Sequence, residues 1–441
     1  MHKKLIGTFI ILLLIFFIYI KFFSSQNIRN KLASLLVFKR LDKIENELNE
    51  TKKNLENFKQ ILQTLEDGLL FDKKTFETVE FGNIVKKSFL IDDKFPEEFK
   101  TYTSRWNFIE QAEDRIIITY HHGKSYFFDV KDLEDEKLNL IKINSNLDEF
   151  ISKKYENALI GVRDTFIHSD GWFYVSLLKE FQEDCNGIIV VRSKINFEKM
   201  NFELFYEQPN DCDNRSYLDG NDWHVGGAIG ANWNNELILS IGDFSTLKDA
   251  QENKNLLGKV IEISKLNKNT SLIALGLRNP SSIILYKDDI FITDIGPKSG
   301  DEINYIKKND KLPVNFGWPY STYGEHDFKV DFSYDKSHKD KGYEEPLVYG
   351  TQNFSFTPSK IIFFESKKTQ SEYLILSTLK ERGLFLFKVT RDENKNLKNI
   401  NFLEKILFKN RIRDMKIVEN KLILIMEDPV ELSVISFSQN Y

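Results

Sequence analysis

The chain's 441 residues are enough for one large domain or for two or three smaller ones, so the domain count must come from patterning rather than from length. Its 61 basic and 66 acidic residues nearly balance, which excludes a strongly basic nucleic-acid surface. Two cysteines, Cys185 and Cys212, exclude a cysteine-rich zinc site or a disulfide scaffold and leave room for one bridge.

The chain starts with Lys3 and Lys4, followed by the apolar run LIGTFIILLLIFFIYI from Leu5 to Ile20. That length predicts a bilayer-spanning helix over residues 1–24. The FFSSQN that follows is a poor small-residue cleavage site, so a retained anchor is expected rather than a removed signal peptide. Lysines and arginines flank the run on both sides and leave its orientation open. Over 27–70, Leu41, Ile44, Leu48, Thr51, Leu55, Phe58, Leu62, Leu65 and Leu69 alternate spacings of three and four, the seam of a coiled-coil stalk. An amphipathic helix packed on its own domain would show the same seam.

From Thr78 the pattern changes to short strands rich in β-branched and aromatic residues. They fall into six pairs: IIITY with SYFFDV, WFYVSLL with IIVVRS, ELILSI with KVIEIS, DIFITDI with EINYI, EYLILST with LFLFKV, and KLILIME with LSVISF. A pair cannot bury both of its faces alone, so six in series predict radial stacking. The expected fold is all-β, a six-bladed β-propeller over 78–441, preceded by the N-terminal transmembrane helix and the coiled-coil helix. Cys185 precedes the apolar run Ile188 to Val191 and Cys212 follows the run Phe202 to Tyr206. If these runs form a hairpin, its open end brings the two cysteines together as a disulfide requires; two unpaired thiols are the alternative.

Residues that bear on chemistry cluster in a few segments. ALGLRNPSSIILYKDDIFITDIGPKSGDEINYI and NFGWP, between Ala274 and Pro319, place Arg278 and Asn279 on a turn before one strand and Gly296, Pro297, Asp301 and Glu302 on the loop leaving the next. ENALIG holds Glu156, WHVGGAIGANWNNELILSIGD holds Trp223 and His224, STLKERGLFLF holds Lys380, and NRIRDM holds Arg411 and Arg413. In this order, from about Glu156 to the end, the segments resemble motifs of the soluble pyrroloquinoline quinone (PQQ) glucose dehydrogenases and aldose sugar dehydrogenases.

The resemblance implies oxidation of an aldose or related alcohol by hydride transfer to PQQ. His224 is then the general base, a role suited to a side chain that titrates near neutral pH. Arg278 stabilises charge at the reacting carbonyl and Asn279 assists through its amide. Lys380, Arg411 and Arg413 hold the cofactor's carboxylates, which guanidinium forks match bidentately, while Glu156 and Trp223 face the substrate. The carbonyls of Gly296, Pro297 and Phe316, with the Glu302 carboxylate, are hard oxygen ligands expected to bind calcium. The implied partners are a sugar and a separate electron acceptor. Work outside the cytoplasm is implied too, which with the apolar N-terminal run points to the inner membrane with the catalytic domain on the periplasmic side, while the heptad seam offers a homo-oligomer through the stalk.

The chain departs from the best-known glucose enzymes at Trp223, where they have an aspartate, Ser281 (a glutamine) and Phe316 (a tyrosine). Asn353 and Ser355 stand where they have a tryptophan and a threonine. A lost carboxylate beside the base implies a changed choice of sugar. Two other functions suit the same fold: a non-catalytic propeller that binds glycans or proteins, and a calcium-dependent hydrolase or lactonase.

Overall fold

The structure, a computed structural model, describes residues 74–78, 82–90 and 106–437, apart from short stretches at 136–137, 152–159, 183–184, 216–222, 352–354, 367–369 and 428–429. The expected transmembrane helix and coiled coil lie outside the described residues, among which no helix is long and apolar enough to cross a membrane. The described strands form six sheets of four or five strands, antiparallel except for the short outermost strands Lys199–Met200 and Val314–Asn315, which pair parallel. The first sheet contains Asn107–Ala112, Arg115–Tyr120, Ser125–Asp129 and Ile141–Ser145, and five more follow along the chain. Their innermost strands are Val162–Ile167, Gly226–Ala231, Pro280–Tyr286, Pro358–Glu365 and Ile412–Val418. Each innermost strand packs against the next, and Ile412–Val418 packs against Asn107–Ala112, so the ring of six blades closes.

Closure joins distant parts of the chain. Gly82–Leu90 pairs antiparallel with the C-terminal strand Glu431–Phe437, from Ile84 opposite Phe437 to Leu90 opposite Glu431. Lys86 and Glu431 add an ion pair at 2.5 Å across this seam. Lys74–Thr78 adds an outer strand, so the sheet begins a few residues before the expected boundary at 78.

The alternation of side chains along a strand divides each blade between its two neighbours. Ile116 and Ile118 enter the core shared with the sixth blade, whereas Ile117 enters the core shared with the second. Ile290 and Ile292 face the third blade and Phe291 the fifth. With both faces buried, such strands read as continuous apolar runs, which is why the six predicted pairs are the second and third strands of the six blades.

The innermost strands face the central channel and carry charge. Asp164 in the second blade accepts the Ile229 N–H of the third at 3.1 Å, and Asp414 in the sixth accepts the Ile109 N–H of the first at 2.9 Å. Ser282 takes the Ile361 N–H in the same way at 3.3 Å. The Lys360 ammonium lies 2.8 Å from Asp164 and 3.7 Å from Asp414, bridging non-adjacent blades. Burial opposes its charge, but these carboxylates hold the Lys360 ammonium above its usual range.

Candidate functional site at one end of the channel

Each chain segment leaving a fourth strand enters the next innermost strand at the same end of the ring, and the loops between second and third strands lie at that end too. His224, Arg278 and Arg411 precede innermost strands. Lys380 sits on a second-to-third-strand loop, as do Gly296 and Pro297, and Arg413 is the second residue of its strand. The sequence-predicted residues that the structure describes therefore share one rim. Glu156 lies outside the described residues.

The rim is most highly organised at the third and fourth blades. His224 has φ 59°, left-handed backbone that costs a non-glycine residue of order 1 kcal/mol or more. Its carbonyl packs so closely on Gly242 that a Cβ there would fall 1.6 Å from the His224 oxygen, which restricts that position to glycine. This close approach brings His224 against Asp243, which follows the strand Leu237–Ile241. The His224 Nδ1 is 2.9 Å from Asp243 Oδ1, which also accepts the Ser245 N–H at 2.8 Å. The other carboxylate oxygen, Oδ2, accepts the indole N–H of Trp318 at 2.7 Å, and Asp243 is fully buried.

Arg278 and Asn279 join the same network. The Arg278 carbonyl accepts the Asp243 N–H at 2.8 Å, and the Asn279 side-chain oxygen accepts the Gly226 N–H at 3.0 Å. Asp294 accepts the backbone N–H groups of Arg278 at 2.8 Å and Asn279 at 2.6 Å. Burial, with the neighbouring Glu302 carboxylate, pushes Asp294 up to about 8. The Arg278 guanidinium donates to the carbonyls of Ile295 at 3.0 Å and Gly296 at 3.1 Å, and pairs with Asp327 at 2.6 Å.

The cationic residues continue around the rim. Lys380 is exposed on a bend after the strand Glu372–Thr378. Arg411 is half-buried, and its carbonyl accepts the Glu427 N–H at 2.9 Å. Arg413 pairs with Glu427 and stacks its guanidinium 4.3 Å from the Trp106 ring centre. These three, with Arg278, place four cations at one end of the channel, the kind of donor set a planar polyanion such as PQQ requires, with Arg278 and Arg413 already holding Asp327 and Glu427. Trp223 stands beside His224 with 61% of its surface exposed, an aromatic face open to solvent.

Three of the four expected calcium ligands, Gly296, Pro297 and Glu302, already have partners. Gly296 holds the Arg278 guanidinium, the Pro297 carbonyl accepts the Gly300 N–H at 2.5 Å, and Glu302 lies 3.0 Å from His338 Nε2 and 3.1 Å from Asn304 Nδ2. Asp301 accepts the Phe356 and Thr357 N–H groups at 2.9 Å and the Ser355 hydroxyl at 3.0 Å. Phe316 is fully buried with its N–H bonded to Leu275 at 3.0 Å. No cluster of three metal-binding side chains occurs among the described residues. A guanidinium on one carbonyl and a histidine on the carboxylate do not fit a calcium ion, which needs six to eight oxygen donors. The ordinary uses of these groups, as turn acceptors and pair partners, account for them.

Cys185 and Cys212 form a disulfide with Cα atoms 6.0 Å apart, joining the start of the second blade's third strand to the segment beyond its fourth. Sequence reasoning singled out His224 but not Asp243 or Trp318, although both lie within the quoted motifs; an aspartate ending an apolar strand (LILSIGD) was the available signal. Ser281 bonds Thr293 and the Pro358 carbonyl at 2.9 Å, linking the fourth and fifth blades.

The family model for glucose and sorbosone dehydrogenases matches residues 103–435. Among solved structures, a glucose dehydrogenase aligns with TM-score 0.60 at 19% identity, covering 77% of this chain and 98% of its own. The soluble aldose sugar dehydrogenase of Escherichia coli in its apo form aligns with TM-score 0.61 at 18% identity, covering 80% and 99%. A PQQ-bound aldose sugar dehydrogenase from Streptomyces coelicolor aligns with TM-score 0.54 at 14% identity, covering 80% and 98%. No curated protein matches the chain significantly.

Proposed function

Because the chain belongs to the glucose/sorbosone dehydrogenase family, we propose that it oxidises an aldose or a related sugar or alcohol with PQQ as the hydride acceptor. The observation that carries this reading is the rim dyad of His224 and Asp243, 2.9 Å apart and built into the same network as Arg278 and Asn279. Bound PQQ would supply an electrophilic carbonyl carbon that takes the substrate's hydride. His224 does the proton work: with Nδ1 engaged by Asp243, Nε2 is left to accept the hydroxyl proton as the C–H bond breaks. Arg278 offers positive charge beside that proton transfer, and Asn279 fixes the Gly226 turn behind it. Lys380, Arg411 and Arg413 would hold the cofactor's carboxylates. Trp223 would stack on the sugar ring, a contact that suits an exposed indole.

The electrons then leave to a separate acceptor. We place this work outside the cytoplasm, on the periplasmic side of the inner membrane. The Cys185–Cys212 disulfide supports an oxidising compartment, and the apolar N-terminal run supports an anchor. The heptad seam supports oligomerisation through the stalk. The test is titration of the full chain with PQQ, following cofactor absorbance with and without a panel of sugars. Saturable binding followed by sugar-dependent reduction is expected. Absence of binding overturns the enzyme reading in favour of a glycan- or protein-binding propeller.

A further inference from the structure

The motif residue Trp318 has so far been assigned no role, yet its contacts reach both halves of the proposed chemistry. Its indole N–H is bonded at 2.7 Å to Asp243 Oδ2, while Asp243 Oδ1 meets His224 Nδ1 at 2.9 Å. The Arg278 guanidinium lies 5.6 Å from the indole ring centre. The indole itself is held on every side. It is 5% exposed, stacked on His326 at 4.7 Å, and fixed in the backbone by its N–H to Gly276 at 3.0 Å and its carbonyl to Gln251 Nε2 at 2.8 Å.

We propose that Trp318 is a positioning residue: its N–H holds the Asp243 carboxylate in the one rotation that fixes the His224 tautomer, with Nδ1 protonated and Nε2 facing substrate. The physical reason is donor count. A buried carboxylate has two oxygens to satisfy, and here a backbone N–H and the imidazole share Oδ1 while the indole holds Oδ2. Without the indole donor, Oδ2 is left buried and unmet, and the carboxylate turns to recover a partner. Imidazole orientation in such dyads follows the carboxylate that holds it. The charged and titratable groups facing this set are Arg278, its partner Asp327, His326, and Arg215, whose guanidinium lies 5.0 Å from the Phe244 ring beside Asp243. None of them donates to Asp243 Oδ2 among the described contacts, so the indole has no substitute there.

The inference deepens the dehydrogenase reading, and its main test does not need the cofactor. In the ¹⁵N-labelled full chain without PQQ, the His224 ring signals, assigned by their loss in His224→Ala, should show a single tautomer protonated at Nδ1. Trp318→Phe, which keeps the ring stack and removes the donor, should convert them to a mixture of tautomers in a chain that still folds, with a melting temperature lower by a few degrees, the cost of an unmet buried acceptor. A single unshifted tautomer in that variant overturns the proposal. Should Trp318→Phe fail to fold, Asp243→Asn in the labelled chain reads the same bond from the other side: the Trp318 indole N–H resonance must move upfield, and an unmoved resonance overturns the proposal. With PQQ and a sugar that reduces it, Trp318→Phe should lower kcat roughly ten- to hundredfold with KM little changed. A fall in KM-determined binding alone contradicts it.

Discussion

The two sides of the channel mouth are built differently. On the third and fourth blades, His224, Asp243, Arg278, Asn279, Asp294 and Trp318 are joined by hydrogen bonds of 2.6–3.0 Å, mostly buried and anchored on backbone. On the fifth and sixth blades, Lys380 stands exposed, Arg411 is half-buried, and Arg413 rests on a carboxylate and an indole. The difference suits the two tasks proposed for these sides. A base must be held within tenths of an ångström to accept a proton, whereas long cationic side chains can close on an anion as it arrives.

Removing the base proposed at His224 tests the ordered side most severely. His224→Ala should lower kcat by about 10² to 10⁴ while leaving the PQQ dissociation constant near its original value, measured by steady-state rates and absorbance titration. The disulfide is the next largest effect, because it secures the second blade just ahead of the segment that leads to His224. Its closed loop spans 27 residues, and replacing both cysteines by serine should cost about 3 to 4 kcal/mol of stability, read as a lower melting temperature that reductant reproduces in the unaltered chain. Arg411→Ala probes the other side. It should weaken PQQ binding about tenfold or more without altering the His224 tautomer, and an unchanged affinity would remove Arg411 from the cradle.

Smaller effects follow from titration on either side of the rim. Burial, aided by Lys124, lowers His122 to about 4, so its contribution to stability is present above about 6.5 and is lost as pH falls towards 4. Asp294 behaves oppositely: raised from 3.8 to about 8, its contribution is full below the lower value and is lost as pH rises through the upper one. Urea titrations across this range should lose the acid limb in His122→Phe and the alkaline limb in Asp294→Asn. The smallest expected effect is that of chelation. With Arg278 and His338 on the loop that would hold calcium, EDTA should leave the melting temperature of the cofactor-free chain unchanged, and a fall of several degrees would restore a calcium site.

Much of this fold was legible in the chain because each blade's middle strands are buried on both faces. DIFITDI and EYLILST carry enough apolar residues to be read as strands without any partner in view. The innermost strands were not legible in that way. NFIEQA, VRDTFI and GGAIGA contain a glutamate, an aspartate and three glycines, and they are strands because neighbouring blades supply their partners. Asp164 looks like a surface residue in one dimension, yet it bonds the Ile229 N–H and the Lys360 ammonium inside the channel.

The six-bladed architecture was readable from the chain alone, in six apolar strand pairs, and the ordered motifs put a histidine, an asparagine and four cations where the structure shows one rim. Hydrophobic periodicity and residue chemistry are local properties, so one dimension records them. Which of those groups meet was settled by the packing of the blades. It joined residues 82–90 to the C-terminal strand, set Asp243 and Trp318 behind His224, and gave the expected calcium loop to Arg278 and His338. Such contacts depend on a few ångströms across blades far apart in the chain, and no local pattern encodes them.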